Sequence, residues 1–402
     1  MTAATYIMDA DYSTQLPLIT FAFATILAFI ALQTSHRLFQ TSLLLPIYYL
    51  GISSFNGVTN VTSDLSIRSA LGLFVLIWLL HITCMILEDY GSKQEQVKPP
   101  RTYLATYKML FNPRRINKSN NAVHQNGDTK QPGSHQRPGA ESINSQKPNA
   151  APPAGFPQRL FWALALLAAY HTHQNLITSA FTTILPRTTT PLHTQATYIR
   201  RLPTAIATVT LPETALRALT VIDFVLSTYI VDNLFHTAFS LLSIDILRLD
   251  TPDEWPPLFG SIRHTTSVRN FWAKFWHRLV APTFTSVAGF VLGILRIKSR
   301  SVAGRILMVC VVFGLSGVAH GMTTWAVGMR CGWWEDVWWF GMQVLAMQVE
   351  EVAGRVGGVI GAGKMMRAWP GLSRVVGHIW TWGFMFWSLP KMMFRKMECG
   401  VR

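Results

Sequence analysis

Long apolar runs recur along the whole chain and leave few folds open to it. A bilayer hydrocarbon core takes about 20 apolar residues per helix. Only 14% of the 402 residues are charged, against about 25% in an ordinary soluble domain, and the mean hydropathy is +0.25. We therefore predict an all-α, polytopic integral membrane protein with about eight to ten transmembrane helices around a buried chamber. The predicted spans are residues 18–34, 41–58, 67–88, 160–185, 213–247, 279–295, 304–329, 333–354 and 375–394.

The chain is also strongly basic, with a formal net charge of +15. Such a charge is common in nucleic-acid-binding proteins. Here most of the cations lie in short segments beside apolar runs, where Lys and Arg set the orientation of membrane helices. We therefore expect membrane lipid as a partner and no nucleic acid, and the sequence leaves the oligomeric state open.

Residues 91–159 differ in composition from the rest of the chain. They are rich in Asn, Gln, Pro, Gly and Ser and contain 11 Lys/Arg against three acidic residues. A segment of this kind does not bury enough apolar surface to offset its ordering entropy. We predict a disordered cytosolic loop over 91–159, between N-terminal transmembrane helices over 1–90 and a core over 160–402.

The charges along the chain also predict an orientation. Counting helices back from a cytosolic 91–159 loop places the N-terminus in the lumen, together with an N-glycosylation sequon at Asn60. Residues 1–17 contain no Lys or Arg, so we expect no cleaved secretion signal and a first helix that is retained. A basic cluster at 296–305 follows the cytosolic 248–278 segment after one apolar run, and a half-inserted helix between them would place both in the cytosol.

The cysteines indicate no covalent or metal framework. They lie far apart at Cys84, Cys310, Cys331 and Cys399, and no Cys-x-x-Cys pair occurs. This spacing predicts neither a zinc site nor a disulfide framework.

The stretch RNFWAKFWHR, residues 269–278, combines aromatic rings with a narrow polar stripe. On a helix the rings cover one broad arc, which consists of Phe271, Trp272, Phe275 and Trp276. The other side follows i, i+4, i+7 spacing with Asn270, Lys274 and His277. One interpretation is a surface anchor, because aromatic rings of such helices lie at lipid headgroups and their cations meet lipid phosphates.

A second stretch, VVFGLSGVAHGMTTW over 311–325, lies inside a strongly apolar helix. An ionisable residue in such a helix is costly, so His320 is a functional candidate. Small residues on one stripe, Gly314, Gly317 and Gly321, let another backbone or a ligand approach closely. The alternative is a neutral histidine that is hydrogen-bonded to a neighbouring helix.

Other reactive arrangements are disfavoured. His171 and His173 form a lone pair, whereas a membrane di-iron oxygenase needs several such pairs, so we expect no bound metal. Ser316 lies one turn before His320, but no G-x-S-x-G elbow is present. The glycine-rich segment 354–363 follows no strand, which disfavours dinucleotide binding.

Taken together, PPLFGS…SVRNFWAKFWHR and the later GLSGVAHG resemble the wax-synthase-like branch of the membrane-bound O-acyltransferases. The likeness is greatest to fungal members that acetylate terpenoid and meroterpenoid alcohols, and it covers residues 200–390. In the wider superfamily an FYxDWWN motif stands at 271–277, so His277 takes the place of the asparagine. The intramembrane catalytic histidine of the family maps onto His320.

The resemblance implies an acyl-CoA-dependent O-acyltransferase of the endoplasmic reticulum. Acetyl-CoA would be its co-substrate, no cofactor would stay bound, and the acceptor would be a hydroxyl of a terpenoid or meroterpenoid. His320 would be the general base, and His277 would orient the substrate or polarise the thioester carbonyl. Further substrate contacts are expected from Asn270, Lys274, Trp276, Arg278, Ser316 and Gly317, with Arg263 and Arg269 as additional phosphate contacts.

Two alternative functions remain open. One is a long-chain acyltransferase that makes wax or sterol esters. The other, from a different class, is a proton-coupled transporter in which the membrane histidine relays protons. Inverted repeats would favour the transporter, and none is evident in the sequence.

Overall fold

The computed structural model describes residues 3–91, 101–112, 114, 155–188, 192–195, 198–201, 209–359 and 368–400. All regular elements in this part of the chain are helical, so the predicted all-α class is confirmed. They are α1 (Ala3–Gln33), α2 (Arg37–Ser42), α3 (Leu44–Asn56), α4 (Val58–Val61), α5 (Leu65–Gly91), α6 (Tyr103–Phe111), α7 (Phe156–Ile184), α8 (Leu192–Gln195), α9 (Tyr198–Arg201), α10 (Leu211–Ser240), α11 (Val268–Asn270), α12 (Ala281–Ile294), α13 (Val302–Ala326), α14 (Trp333–Val359) and α15 (Pro370–Gly400).

Among the described residues, five helical segments are long and apolar enough to cross a membrane. They are Thr14–Gln33, Arg37–Asn56, Leu65–Glu88, Leu211–Ile246 and Val302–Ala326. Each overlaps one of the predicted spans, so the polytopic membrane class is confirmed.

Three further predicted spans coincide with helices of comparable length. α7, α14 and α15 contain 29, 27 and 31 residues, but their sequences carry more polar and charged side chains. Part of that polarity is used inside the protein, as Asp336 and Gln343 of α14 are buried. The total of eight to ten transmembrane helices therefore stays a prediction.

α12 is too short to cross a bilayer. Its 14 residues extend about 21 Å at ~1.5 Å per residue, against a hydrocarbon core of about 30 Å. Near its start, Thr283 contacts His81 of α5 at 3.4 Å, and its end leads through residues 295–301 into α13. A short helix at this place is what a half-inserted segment between 248–278 and 296–305 requires.

The N-terminal helices pack through small residues. Ala24, Ala28 and Ala31 of α1 are fully buried and follow i, i+4, i+7 spacing, which brings α1 close to α3 and α5. Trp78 of α5 lies in the same core, with its ring edge-on to Phe21 at 4.9 Å. The predicted bundle over 1–90 is therefore closely packed in the residues described.

The segment before the polar insert corrects one prediction. Residues 103–111 form α6, whose Thr102 cap accepts a hydrogen bond from Ala105 N at 3.2 Å. Leu110 is buried, and Lys108 forms an ion pair with Glu254 at 2.6 Å. Disorder across all of 91–159 is therefore wrong for this part, because the average composition conceals the apolar stretch YLATYKMLF. Residues 92–100, 113 and 115–154 lie outside the described residues.

An arginine inside the protein compensates for a proline in α15. Pro390 has no N–H to bond the carbonyl of Phe386, four residues earlier. Arg217 of α10 is fully buried and donates to the carbonyls of Phe386 and Trp387, both at 3.1 Å. Because membrane helices must satisfy their backbone groups internally, this contact stabilises α15 and ties it to α10.

The cysteine prediction is wrong for one pair. The Sγ atoms of Cys331 and Cys399 are bonded to each other, and their Cα atoms lie 5.7 Å apart. Sequence spacing did not reveal the pair because 68 residues separate the two cysteines. They meet because α13, α14 and α15 run back and forth, which brings the start of α14 to the end of α15.

Candidate active site

His320 enters the bundle on the regular helix α13. The helix is capped by Ser301, whose side chain accepts a hydrogen bond from Gly304 N at 3.0 Å. The imidazole of His320 is half-buried and stacks on Phe340 of α14, with ring centroids 4.9 Å apart. Sequence reasoning placed this residue correctly inside a membrane helix.

Two glycines of the α13 stripe, Gly317 and Gly321, face α14. A Cβ on Gly317 would lie 3.0 Å from the Cα of Val337, and one on Gly321 would lie 2.8 Å from the carbonyl oxygen of Trp333. The backbone of α14 occupies the space beside the Cα of Gly317, and the predicted substrate contact of Gly317 stays a prediction. The close approach of the two helices is what seats His320 against Phe340.

Ser316 has its own partner on α13. Its hydroxyl donates to the carbonyl of Val312 at 3.0 Å, which is the usual bond of a serine to the preceding helical turn. A substrate contact by Ser316 stays a prediction, and it would require the hydroxyl to leave or share this bond.

His277 reaches the site on an irregular segment. α11 continues as a π-helical turn, Phe271–Phe275. Helical geometry ends at Trp276, which is extended with φ −67° and ψ 154°. Gly260 N donates to the carbonyl of Phe275 at 2.8 Å, and a Cβ on Gly260 would collide with the carbonyl oxygen of Lys274. Residue 260 must therefore be a glycine, because its backbone lies directly against the backbone of Lys274 and Phe275.

The aromatic rings of this segment lie inside the protein. Phe271, Phe275 and Trp276 are all buried. Trp276 stacks on Phe224 of α10 at 5.7 Å and on Phe271 at 5.2 Å. The surface-anchor interpretation is therefore wrong for these rings, and the predicted substrate contact of Trp276 stays a prediction. The break after Phe275 also removes His277 from the helical stripe that it was predicted to share with Lys274.

Asp232 of α10 is the residue that sequence reasoning missed. Its Oδ2 lies 3.5 Å from Nε2 of His277, and the two side chains are 20% and 19% exposed. Nδ1 of His277 is buried and has no hydrogen-bond partner among the described residues. The signal was present, because an aspartate inside the apolar run 213–247 is as costly as a histidine in α13.

A continuous set of ring contacts links the two histidines. The ring of His277 lies 5.6 Å from Trp276, Trp276 lies 5.7 Å from Trp272, and Trp272 lies 5.9 Å from Phe340, on which His320 stacks. Asp336 accepts a hydrogen bond from Thr324 at 2.7 Å and pairs with Lys396. Both imidazoles are partly accessible.

The residues predicted to contact substrate phosphates differ in whether they have partners within the protein. Lys274, Arg278 and Arg263 are exposed, whereas Arg269 lies 3.6 Å from Glu351. The amide of Asn270 donates to Thr266 at 3.2 Å. Three of the predicted phosphate contacts are thus available at the surface, while Arg269 and Asn270 have partners in the protein.

Arg114 is a further cation that sequence reasoning missed. Its guanidinium donates to the carbonyls of Pro256 and Pro257 at 2.7 and 3.1 Å, and its charge acts on Arg278 and His277. It lies within the predicted polar loop, where no local pattern distinguishes it from ten other cations.

Metal-binding groups do not form a site in the part of the chain that the structure describes. No cluster of three or more His, Cys, Asp or Glu side chains occurs there. His173, one of the lone histidine pair, instead lies 2.9 Å from Asp223 of α10.

The sequence matches one known family over the segment that holds both histidines. The sequence model of the membrane bound O-acyl transferase family matches residues 255–342. Similar proteins include Acetyltransferase ataH of Aspergillus terreus, with 30% identity over 37% of this chain and 48% of the relative. Others are Acetyltransferase fsoF of Humicola fuscoatra, with 28% identity over 47% of this chain and 46% of the relative, and Acetyltransferase atnC of Arthrinium sp, with 30% identity over 42% and 39%.

These matches are partial. The matched part of the chain spans about half or less of the length of these curated relatives. No solved structure matches the chain. On residues 255–342, which carry His277 and His320 between them, the resemblance to the membrane bound O-acyl transferase family is confirmed.

Proposed function

We propose that this protein is an acetyl-CoA-dependent O-acetyltransferase that acts on a hydroxyl of a terpenoid or meroterpenoid alcohol within the membrane. The observation that carries the proposal is that His277 and His320, from two separate segments of the family-matched region, are linked through the rings of Trp276, Trp272 and Phe340. Acetyltransferases among the similar proteins favour a short acyl group over the long chains of wax or sterol esters.

His320 takes the hydroxyl proton in this reaction. As the proton leaves, the alcohol oxygen forms a bond to the acetyl carbon and the thioester C–S bond breaks. The same imidazole then returns the proton to the sulfur of CoA, so that the enzyme is unchanged at the end. General-base help of this kind contributes about 10²- to 10⁴-fold, and His277 donates a hydrogen bond where negative charge develops on the carbonyl oxygen.

The acyl donor reaches the histidines from the cytosol. CoA carries several phosphate charges, and moving them through hydrocarbon is prohibitive. Lys274 and Arg278 are exposed cations on the segment that leads to His277, and Arg114 adds a third charge beside Arg278. Charge-assisted hydrogen bonds from these side chains would hold the phosphates while the thioester end extends inward.

The alcohol arrives by another route. A terpenoid prefers the lipid phase, so it enters between helices rather than through water. The seam between α13 and α14 is closed at Gly317 and Gly321. Gly314, one turn nearer the start of α13, has nothing within 4 Å of an added Cβ, so the outer face of α13 offers more room there.

We place the N-terminus and the Asn60 sequon in the lumen of the endoplasmic reticulum. Asn60 is exposed just before α5, and Gly72 of α5 packs near Thr323 at the end of α13. The bonded pair Cys331–Cys399 follows that same end of α13, and disulfides persist in oxidising compartments such as the lumen. The basic residues 296–305 lie at the opposite end of α13, which supports a cytosolic face there.

Microsomes that contain the full chain test the function. They are given radiolabelled acetyl-CoA with a panel of terpenoid alcohols, and palmitoyl-CoA in a parallel set, with the His320→Ala protein as the blank. We expect acetyl esters that depend on His320. Preference for palmitoyl-CoA would indicate the long-chain alternative, and absence of ester with every alcohol and both donors would refute the acyltransferase function.

A further inference from the structure

Asp232 lies where an ionised side chain is energetically costly, and it has one ionisable partner among the described residues. It lies on the membrane-crossing helix α10, where an unpaired carboxylate is strongly disfavoured. Its carboxylate is 20% exposed and approaches only His277 among the described ionisable groups, at 3.5 Å. Asp223, on the same helix, forms a closer contact at 2.9 Å with His173, which lies on α7.

The contact between Asp232 and His277 assigns a tautomer. When the Asp232 carboxylate is ionised it only accepts hydrogen bonds, and Nε2 of His277 then carries the proton in this pair. Nδ1 then holds a lone pair, and it is buried without a partner among the described residues. A buried N–H left without an acceptor at Nδ1 would cost more than an idle lone pair, which favours the same assignment.

We propose that Asp232 is a positioning residue. It holds His277 through Nε2–H and so fixes the tautomer in which the Nε2–H edge of the ring faces the reacting atoms. The inference rests on the proposed acetyl transfer. It gives the two histidines different roles: His277 presents a donor to the thioester carbonyl, and His320 is left as the group that accepts the hydroxyl proton.

The long separation fits this role. At 3.5 Å the contact is weaker than an ordinary hydrogen bond, and catalytic hydrogen bonds are often long before substrate binds. The His277 side chain is 19% exposed. The exposed part does not include Nδ1, because that atom is buried. The Nε2–H group can therefore be shared between Asp232 and an incoming carbonyl oxygen.

A double-mutant cycle tests whether Asp232 acts through His277. We expect Asp232→Ala to lower kcat by up to about 10²-fold, the effect of a misplaced group, with little change in either KM. Asp232→Asn, which keeps an accepting oxygen, should recover most of the loss. The double variant Asp232→Ala, His277→Ala should be no slower than His277→Ala alone, because the second change removes a partner already lost.

Asp223→Ala is the matched control on the same helix, and its effect should add to that of His277→Ala. Additive losses in the Asp232 cycle as well, or a kcat for Asp232→Ala within about twofold of wild type, would overturn the positioning role. If wild-type protein forms no ester at all, the proposed function fails instead.

A second measurement does not depend on acetyl transfer. Nitrogen NMR of labelled histidine in nanodiscs, with His277 assigned from its loss in His277→Ala, reports which ring nitrogen carries the proton. We expect an unprotonated Nδ1 in wild type and a mixture of tautomers in Asp232→Ala. A protonated Nδ1 in wild type would contradict the proposal.

Discussion

The hairpin of α13 and α14 and the irregular segment 258–280 each carry one histidine into the bundle, and different forces hold them. The hairpin is a regular pair of helices in van der Waals contact at Gly317 and Gly321. The irregular segment is held by backbone contacts at Gly260 and by buried aromatic rings. His320 is thus fixed by helix packing, whereas His277 depends on the neighbours that surround a break in helical structure.

This difference separates two kinds of substitution. Changes in the hairpin should alter how well the protein holds together, because its contacts are closely packed and leave no space for extra atoms. Changes around 258–280 should alter where His277 points, since its ring lies against Phe259 and Trp276 and 3.5 Å from Asp232.

The largest effect is expected at the hairpin histidine. His320→Ala removes the general base, so acetyl transfer should fall by about 10²- to 10⁴-fold while the protein still inserts and folds. His171→Ala, which alters an exposed histidine of α7, is the control and should be near wild type. Initial rates in microsomes with matched protein levels measure both. Activity above a few per cent in His320→Ala would show that another group takes the proton.

A smaller loss is expected at the histidine of the irregular segment. His277→Ala should reduce kcat by about 10- to 100-fold, or ~1.4 to ~2.7 kcal/mol, because a lost hydrogen-bond donor is less damaging than a lost base. His277→Asn should be milder, since its amide can still donate. His264→Ala, an exposed histidine of the same region, is the control. An Asn variant no better than Ala would argue against hydrogen bonding by His277.

The next variant tests the packing of the hairpin. Gly317→Leu should lower the stability by about 1–3 kcal/mol, the usual cost of overpacking, because an added Cβ already lies 3.0 Å from Val337. Gly314→Leu is the matched control one turn away, where nothing lies within 4 Å. Thermal unfolding in detergent compares the two. An unchanged melting temperature for Gly317→Leu, with a raised KM for the alcohol alone, would instead support Gly317 as a substrate contact.

Removing surface charge near His277 should affect only the acyl donor. Lys274→Ala with Arg278→Ala should raise the KM for acetyl-CoA by about two- to thirtyfold, as each exposed charge contact contributes ~0.2–1 kcal/mol. The KM for the alcohol should stay unchanged. Lys298→Ala with Arg300→Ala removes two exposed charges from the other basic cluster and serves as the control. Equal changes in both Michaelis constants would contradict separate routes for the two substrates.

The smallest effect is expected from the polar insert. Deletion of residues 117–148 should leave the rate of acetyl transfer nearly unchanged, because their composition predicts no packed structure. Extending the deletion to residues 101–148 should inactivate the protein, since it removes α6 and the Lys108–Glu254 ion pair at 2.6 Å. Inactivation of a correctly inserted 117–148 deletion would show that these residues support the site.

Local sequence patterns were enough to predict the helices and to single out His320, one of the two histidines of the candidate active site. Hydropathy over about 20 residues located the spans, and the cost of an ionisable group in a membrane singled out His320. The same cost applied to Asp232 and Asp223 would have flagged both, so these were available in the sequence and overlooked. Helical periodicity failed at 269–278, because the π-helical turn and the extended Trp276 break the 100° rotation on which it relies.

The sequence by itself therefore determined that this is a helical membrane protein, that His320 lies inside one of its helices, and that residues 255–342 resemble an acyltransferase family. Only the tertiary structure decided that Gly317 faces α14, that Arg217 satisfies the carbonyls near Pro390, and that Asp232 lies beside His277. The physical reason is the separation in sequence between the residues that interact. Hydropathy and capping depend on neighbours within a few turns, whereas these contacts join residues far apart in sequence and exist only once the helices have packed.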